Sequence, residues 1–195
     1  MPADDYTVRA EALERRIDEP KPRGAIFWGL LRLGMGWIFF WAFLDKLLAL
    51  GFATGRDPET GEVDRFGPAA WIEGGSPTEG FLSFGLNTKE PFLGFYSDLA
   101  GQGWVDWIYM ISMAAIGIAL LLGIVTTLAA IGGAIWMALF YTAAAIWPEN
   151  NPFLDEHLIE LIILVALAYV GAGRYLGLGH WWENTSLVRR YPFLR

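Results

Sequence analysis

The sequence predicts an all-α integral membrane protein, a four-helix bundle with a long extracytoplasmic loop between helices 1 and 2. Two observations lead to this prediction. Of the 195 residues, 54% are hydrophobic and 18% are charged, a more apolar composition than that of an ordinary soluble domain. The apolar residues also fall into four runs, and a helix that crosses a bilayer needs about 20 mostly apolar residues.

These runs divide the chain into three parts. A polar segment, residues 1–24, comes first, the predicted membrane domain covers 25–172, and a polar tail covers 173–195. A few residues around "GIVTT" join the second span to the third, which predicts an antiparallel hairpin. The predicted spans cover about 25–50, 105–122, 128–146 and 156–172.

The distribution of basic residues predicts the orientation. Lysine and arginine are enriched in the cytoplasmic flanks of membrane proteins. Here they gather in the two terminal segments, and the connection between spans 3 and 4 has none. We therefore expect a plasma-membrane protein with both termini in the cytoplasm. The loop 51–104 and the segment "WPENNPFLDEH" would lie together on the outer face, the loop as an aromatic belt at the membrane surface or as a lid over a site.

Composition excludes several classes of function. The net charge is −7, whereas a nucleic-acid-binding protein needs a basic surface. The absence of cysteine excludes disulfides and cysteine-ligated metals. The two histidines, His157 and His180, are expected at opposite ends of helix 4, and paired Glu-x-x-His motifs, which a di-iron bundle needs, are missing. We expect no haem, other metal or flavin in this chain.

Three ionisable residues in the first span are candidate functional groups, because charge within a span is costly and usually faces the protein interior or water. Arg32 and Lys46 share one helix face but lie roughly 21 Å apart along it. Arg32 could form a structural ion pair, reach the inner headgroups, or face a quinone, an anion or a partner's carboxylate. Asp45 and Lys46 could anchor the helix at the interface, or Lys46 could receive an anionic substrate.

The segment "WPENNPFLDEHLIE" places a polar cluster between two apolar runs. Asn150 or Asn151 with Pro152 predicts a turn. Asp155 can cap helix 4, with Glu156 in its first turn. His157 and Glu160 are three residues apart, hence neighbours on a helix surface, and this pair is a candidate for proton exchange with a quinone. We expect the apolar walls of that quinone site to come from a set of aromatic residues: Trp37, Phe40, Trp136 and Tyr141.

Two stretches carry a family resemblance. "LLRLGMGWIFFWAFLDKLLALGF" resembles the first helix of DoxX-family membrane proteins, and "NNPFLDEHLIELIILVALA" resembles their longer, DoxD-like branch. This branch includes the membrane subunit of thiosulfate:quinone oxidoreductase. The resemblance implies a four-helix bundle that oxidises thiosulfate to tetrathionate, with a quinone as electron acceptor and a second oxidoreductase subunit as partner. The positions that match the family's motifs are Arg32, Asp45, Lys46, Asn151, Pro152, Asp155 and His157.

The sequence thus leads to one principal hypothesis and two alternatives. The principal one is a quinone-linked oxidoreductase, or its membrane subunit, that acts on a reduced sulfur compound. The alternatives are a non-catalytic scaffold that recruits soluble redox enzymes and, less favoured, a small-solute transporter. Homo-oligomerisation is left open. The candidate catalytic residues are His157, Glu160 and Lys46, and the candidate substrate-binding residues are Arg32, Asp45, Asn151, Asp155 and Glu156.

Overall fold

A computed structural model describes residues 24–89, 91–146, 148 and 151–195. The chain is all-helical, with 65% of it in helices and no strand among the described residues. Within these residues, three helices are long and apolar enough to cross a membrane, which indicates a multi-pass membrane protein. The polar segment 1–23 and Trp147, Glu149 and Asn150 of the connection before helix 4 lie outside the described residues.

The helices correspond closely to the predicted spans. Four long helices are separated by connections that contain shorter ones. The π-helical turn Tyr141–Ala145 extends α4, so that the apolar helix covers Thr126–Ala145. The α-helices are α1 Ala25–Leu48, α2 Leu93–Ser97, α3 Gly103–Leu122, α4 Thr126–Phe140, α5 Glu156–Val170, α6 Gly179–Glu183 and α7 Ser186–Arg190.

Helix α5 is the one long helix that falls short of the span length. It has 15 residues, which correspond to roughly 22 Å, whereas the hydrocarbon core of a bilayer is about 30 Å thick. Its solvent-facing side is nevertheless apolar, since Ile159, Ile162 and Val165 are exposed at helical spacing. Helix α5 therefore resembles the other three long helices in its apolar composition but is shorter than a membrane span.

The long helices pack in an antiparallel arrangement around one core. Helix α1 packs mainly against α3, and α4 mainly against α5. Glycines allow the first pair to approach closely: a Cβ at Gly36 would lie 2.8 Å from the backbone nitrogen of Leu121, and one at Gly117 would lie 2.6 Å from that of Phe40. Small residues at such crossings are typical of helices that pack within membranes. The core residues between the helices include Met35, Phe39, Met110, Met113, Leu120, Leu164 and Leu167.

The outward faces of the same helices are also apolar. Helices α1, α3 and α4 expose large aliphatic and aromatic side chains along most of their length. A soluble protein rarely exposes so large a continuous apolar surface. Lipid is therefore the surrounding that these faces fit. The exposed residues include Phe27, Leu30, Trp37, Trp107, Ile111, Ile118, Ile131 and Ile135.

The connection between α1 and α3 folds back onto the helix ends rather than extending into solvent. Two of its segments, residues 76–82 and 93–99, contribute buried side chains that pack on α3 and α4. We refer to these two segments together as the lid. The lid lies at the end of the molecule where α1 ends and α3 begins, which we name the Lys46 end.

The C-terminal residues pack against the opposite end of the molecule. The backbone nitrogen of Leu178 donates to the carbonyl of Leu122 at 2.8 Å, and that of Thr127 donates to the oxygen of Arg195 at 3.1 Å. The tail predicted for 173–195 is therefore a folded cap on the α3–α4 hairpin. We name this side of the molecule the Arg32 end.

Candidate functional site

A pocket of about 450 Å³ lies under the lid at the Lys46 end. Its walls are almost wholly apolar and aromatic, and few polar side chains reach it. Such a composition, apolar walls with a small number of placed polar groups, is typical of sites for small molecules and cofactors. The side chains that line it come from α1, the lid, α3, α4 and α5: Lys46, Thr78, Phe81, Leu82, Tyr96, Trp104, Ile108, Tyr109, Trp136, Phe140 and His157 are among them.

Lys46 brings a cation to this apolar pocket. It lies in the last turn of α1. Its Nζ is 5.9 Å from the centre of the Tyr109 ring, within the range of a cation–π interaction. The one hydrogen bond that it makes among the described residues is a long one, 3.5 Å to Oγ1 of Thr54. The ammonium group can therefore still donate to a ligand.

Two buried carboxylates lie near Lys46 without forming a direct ion pair with it. Asp45 accepts hydrogen bonds from the backbone nitrogens of Phe52, at 3.0 Å, and Ala53, at 2.8 Å. It therefore fixes the chain that leaves α1, and both of its oxygens are occupied by backbone groups. The sequence predicted a substrate-binding role for Asp45. In the structure, Asp45 lies next to Lys46 and does not line the pocket.

Asp106 is the second carboxylate, and the sequence reasoning missed it. It is buried in the first turn of α3, where its Oδ1 accepts from Oγ of Ser76 at 2.9 Å and from Oγ1 of Thr78 at 2.6 Å. The backbone nitrogen of Thr78 also donates to it, at 3.1 Å. Asp106 therefore anchors the lid to α3. Its signal was an isolated acid in the apolar run "WVDWIYM", the same signal that identified Arg32.

His157 faces the pocket from the start of α5, with a carboxylate behind it. Its Nδ1 lies 2.6 Å from Oδ2 of Asp155, and its ring centre is 5.8 Å from that of Phe140. The other oxygen of Asp155 accepts from the backbone nitrogen of Leu158 at 3.0 Å, which confirms the predicted cap of helix 4. A carboxylate at Nδ1 fixes the orientation of the imidazole and leaves Nε2 for proton exchange.

The other polar residues of this segment lie outside the pocket. Asn151 forms the predicted turn, its Oδ1 accepting from the backbone nitrogens of Phe153, at 3.2 Å, and Leu154, at 3.0 Å. Glu156 is exposed in the first turn of α5. Glu160 is half-buried on the same helix but does not line the pocket. The structure thus pairs His157 with Asp155, where the sequence pattern had suggested Glu160.

Three of the four aromatic residues predicted as walls of a quinone site do not line this pocket. Trp136 does line the pocket, and its ring meets that of Tyr109 at 5.5 Å, edge to face. Trp37 is exposed on the outer face of α1 and stacks on Trp41. Tyr141 instead donates its hydroxyl to the carbonyl of Phe153 at 2.7 Å. Phe40 packs at the α1–α3 crossing. Helix periodicity did not indicate the rotation of each helix, so it could not separate these faces.

Arg32 lies at the opposite end of the molecule and does not line the pocket. It is completely buried, and its guanidinium nitrogens donate to four carbonyls. Nη1 contacts the carbonyls of Leu120 and, at 3.0 Å, Leu121, while Nη2 contacts those of Tyr175, at 3.1 Å, and Leu176, at 2.9 Å. The structure therefore does not bring Arg32 together with Lys46 and His157.

The surroundings of Arg32 explain its role. The carbonyls at the C-terminus of a helix have no partner within the helix and carry a partial negative charge. Arg32 supplies hydrogen-bond donors and a positive charge to that end of α3, and it ties the same end to the chain beyond α5. Nε is the one guanidinium nitrogen without a partner among the described residues.

The fold and the pocket define the chain as a helical, multi-pass membrane protein with an aromatic pocket at one end. No protein-family model, curated protein or solved structure matches the chain. Among residues 24–89, 91–146, 148 and 151–195, no cluster of three histidine or acidic side chains is placed to hold a metal ion.

Proposed function

We propose that the chain is a DoxX/DoxD-like membrane protein with a four-helix membrane domain, in which α5 is the fourth crossing. The apolar exposed face of α5 and its extensive packing against α4 support this topology. The protein lies in the plasma membrane with both termini in the cytoplasm, and the Lys46 end faces outward. The basic residues of the two terminal segments support that orientation.

The proposed activity is that of a quinone-linked oxidoreductase, or of its membrane subunit, acting on a reduced sulfur compound such as thiosulfate. One observation carries this proposal: an apolar, aromatic pocket of about 450 Å³ is reached by one lysine and by one histidine that a carboxylate holds. A quinone head is a flat apolar ring with two hydrogen-bond-accepting oxygens. Aromatic walls suit the ring, and Lys46 and His157 suit the oxygens.

The chemistry of the reaction gives these residues separate roles. Two thiosulfate ions join through a new sulfur–sulfur bond to give tetrathionate and two electrons, and a quinone takes up two electrons and two protons to give the quinol. Lys46 donates a hydrogen bond, and then a proton, to the quinone oxygen on which negative charge develops. His157, held through Nδ1, delivers a proton from Nε2 to the other oxygen. Electrons reach the quinone from thiosulfate directly or through a partner subunit.

Asp155 and Asp106 support the site without touching the quinone. Asp155 orients the imidazole, as carboxylates behind catalytic histidines do. Asp106 holds the lid over the ring through Ser76 and Thr78. Exclusion of water by the lid strengthens the hydrogen bonds from Lys46 and His157 to the quinone.

The test is thiosulfate-dependent reduction of a short-chain quinone by the purified protein in nanodiscs. Lys46→Ala and His157→Ala should each lower turnover by about a hundredfold. Lys89→Ala and His180→Ala are the matched controls, because both residues are exposed and away from the pocket. These controls should keep wild-type turnover.

The outcomes separate the hypotheses. Quinone binding without turnover would indicate that a partner subunit or another donor is missing, and the quinone site would stand. Absence of both turnover and quinone binding would reject the oxidoreductase and favour a non-catalytic scaffold. Equal turnover in all four variants would place the chemistry outside this pocket.

A further inference from the structure

The walls of the aromatic pocket differ in exposure from one side to the other. On the lid side, Thr78 is 7% exposed, Leu82 6% and Tyr96 9%, and Phe95 is an exposed exception at 62%. On the α3–α4 side, Trp104 is 57% exposed, Ile108 54% and Leu139 38%, although all three line the same pocket. Apart from Phe95, the lid side of the pocket is therefore closed, and the pocket reaches the molecular surface between α3 and α4.

The lid is fixed to both of these helices. Asp106 of α3 accepts hydrogen bonds from Ser76 and Thr78. On the other side, the hydroxyl of Tyr96 lies 2.6 Å from Oγ1 of Thr142, in the π-helical turn of α4. Each of these buried or partly buried hydrogen bonds contributes about 1 kcal/mol. Opening toward the aqueous side would break both sets of contacts, whereas the α3–α4 side needs no such change.

Helices α3 and α4 are close at their hairpin and separated at the pocket. Near the hairpin, a Cβ at Gly132 would lie 3.5 Å from Cδ1 of Ile116. Further toward the Lys46 end, the rings of Tyr109 and Trp136 fill the space between the helices, and the pocket begins beyond them. Each helix packs more extensively on its other neighbour, α3 on α1 and α4 on α5.

The surface just outside this opening is apolar. Trp107 and Ile111 of α3 and Ile135 of α4 are all more than half exposed on the same two helices. Helices α3 and α4 are two of the three that suit a membrane crossing. The medium that touches the opening is therefore hydrocarbon. A small anion such as thiosulfate cannot enter hydrocarbon, whereas an apolar tail can.

We propose that the pocket is filled sideways from the lipid phase, through a lateral portal between α3 and α4 formed by Trp104, Ile108 and Leu139. Its ligand is a membrane-dissolved amphiphile, whose small polar head reaches Lys46 and His157 and whose apolar tail lies in the portal. For the identity of the head, the inference rests on the proposed function. The new elements are the apolar tail of the ligand and its route into the pocket. Thiosulfate, as a dianion, meets the protein elsewhere, at the aqueous surface of the lid.

Single-cysteine labelling tests the route without any quinone, because the chain has no cysteine of its own. Ala143→Cys places a thiol at a buried position that lines the pocket. Glu59→Cys provides an exposed reference on the loop. In nanodiscs, an uncharged aromatic maleimide should label Cys at both positions. A sulfonated, membrane-impermeant thiol reagent should label position 143 at least about tenfold more slowly than position 59.

Portal variants then test where the uncharged reagent enters. Ile108→Trp and Leu139→Trp enlarge side chains that border the opening, and Ile118→Trp is the control on the exposed face of α3 away from the pocket. Both portal variants should slow labelling at position 143 by about tenfold and leave position 59 unchanged. The unfolding temperature of each variant shows whether its fold is intact, and the two portal variants serve as replicates.

Several results would overturn the portal. Equal labelling of positions 143 and 59 by the sulfonated reagent would show access from water. Absence of labelling by either reagent, or equal rates in the portal variants and in Ile118→Trp, would show that no lateral route exists. Failure of quinone binding with the expected labelling pattern would instead reject the proposed function alone, and the route for another amphiphile would stand.

Discussion

Helix α1 carries two cations, and the protein treats them in opposite ways. Arg32 is surrounded by main-chain carbonyls from the end of α3 and from the chain beyond α5. Lys46 has one long hydrogen bond, an aromatic ring and an apolar pocket around it. Of these two basic residues on one helix, Arg32 therefore stabilises the fold at one end of the molecule, and Lys46 is available to a ligand at the other.

The backbone explains this difference. At the Arg32 end, glycines let the chain approach the guanidinium group: a Cβ at Gly177 would lie 2.8 Å from Nη2 of Arg32, and one at Gly123 would lie 3.1 Å from Nη1. Leu176, whose carbonyl Arg32 contacts, adopts a left-handed φ of 54°, which costs about 1 kcal/mol for such a residue. At the Lys46 end, bulky aromatic rings keep the backbone away and leave a cavity.

The largest effect that we expect comes from replacing the two cations with the same apolar residue. Arg32→Met leaves buried carbonyls without donors, so the free energy of unfolding should fall by roughly 3–5 kcal/mol. Lys46→Met should change it by less than about 1 kcal/mol, because the carboxylates nearby keep their own hydrogen bonds. Thermal unfolding in detergent, with Arg65→Met as an exposed control, measures both. Equal losses at positions 32 and 46 would remove the distinction between the two ends.

A second prediction concerns the contact that brings α1 and α3 together. Gly36→Ala would place a Cβ 2.8 Å from the backbone nitrogen of Leu121, so it should cost about 1–3 kcal/mol. Gly34→Ala has nothing within 4 Å and should instead gain up to about 1 kcal/mol of helix propensity. The two variants differ only in position along α1. Denaturation midpoints that move in the same direction would contradict the close crossing.

The third prediction concerns how the guanidinium group is held. Lysine has one nitrogen where arginine has a planar fork of donors. Arg32→Lys should therefore recover less than half of the stability that Arg32→Met loses, because it cannot reach carbonyls on both α3 and the chain beyond α5. Unfolding temperatures of the three proteins measure this recovery. Full recovery by lysine would show that charge alone, without the four directed bonds, stabilises this end.

The smallest expected effect lies in the lid. Tyr96→Phe removes the hydroxyl that contacts Thr142, which should lower the free energy of unfolding by about 1 kcal/mol. More informatively, it should speed labelling of Ala143→Cys by the sulfonated reagent, because one of the two attachments of the lid is lost. Tyr191→Phe, at an exposed tyrosine of the C-terminal segment, is the control. Unchanged labelling would mean that Asp106 alone holds the lid.

The sequence predicted the elements well because each leaves a local signal. The apolar runs marked the long helices to within a few residues, and the cap at Asp155 and the turn at Asn151 follow from side chains that bond their own neighbouring backbone. Candidate site residues were identified from the same local signals. Lys46 and His157 do reach one pocket.

The pairing of distant residues could not be predicted in this way. Contacts such as Asp106 with Thr78, or Arg32 with Leu176, depend on how the loop and the tail fold back over the helix ends. An apolar run that will lie in lipid has no polar face to indicate its rotation, so the sequence could not separate pocket-facing Trp136 from lipid-facing Trp37. The apolar composition of α5 also did not indicate how short this helix is.

Binding of a short-chain quinone in nanodiscs decides whether the pocket is a quinone site, with quenching of the tryptophans in the pocket, Trp104 and Trp136, as the signal. The proteins to compare are wild type, Lys46→Met and His157→Ala, with Lys89→Ala and His180→Ala as controls. We expect saturable quenching in wild type and both controls, and a Kd at least about tenfold higher in the two pocket variants at unchanged unfolding temperature. The same Kd in all five proteins, or no saturable quenching in wild type, would contradict this expectation.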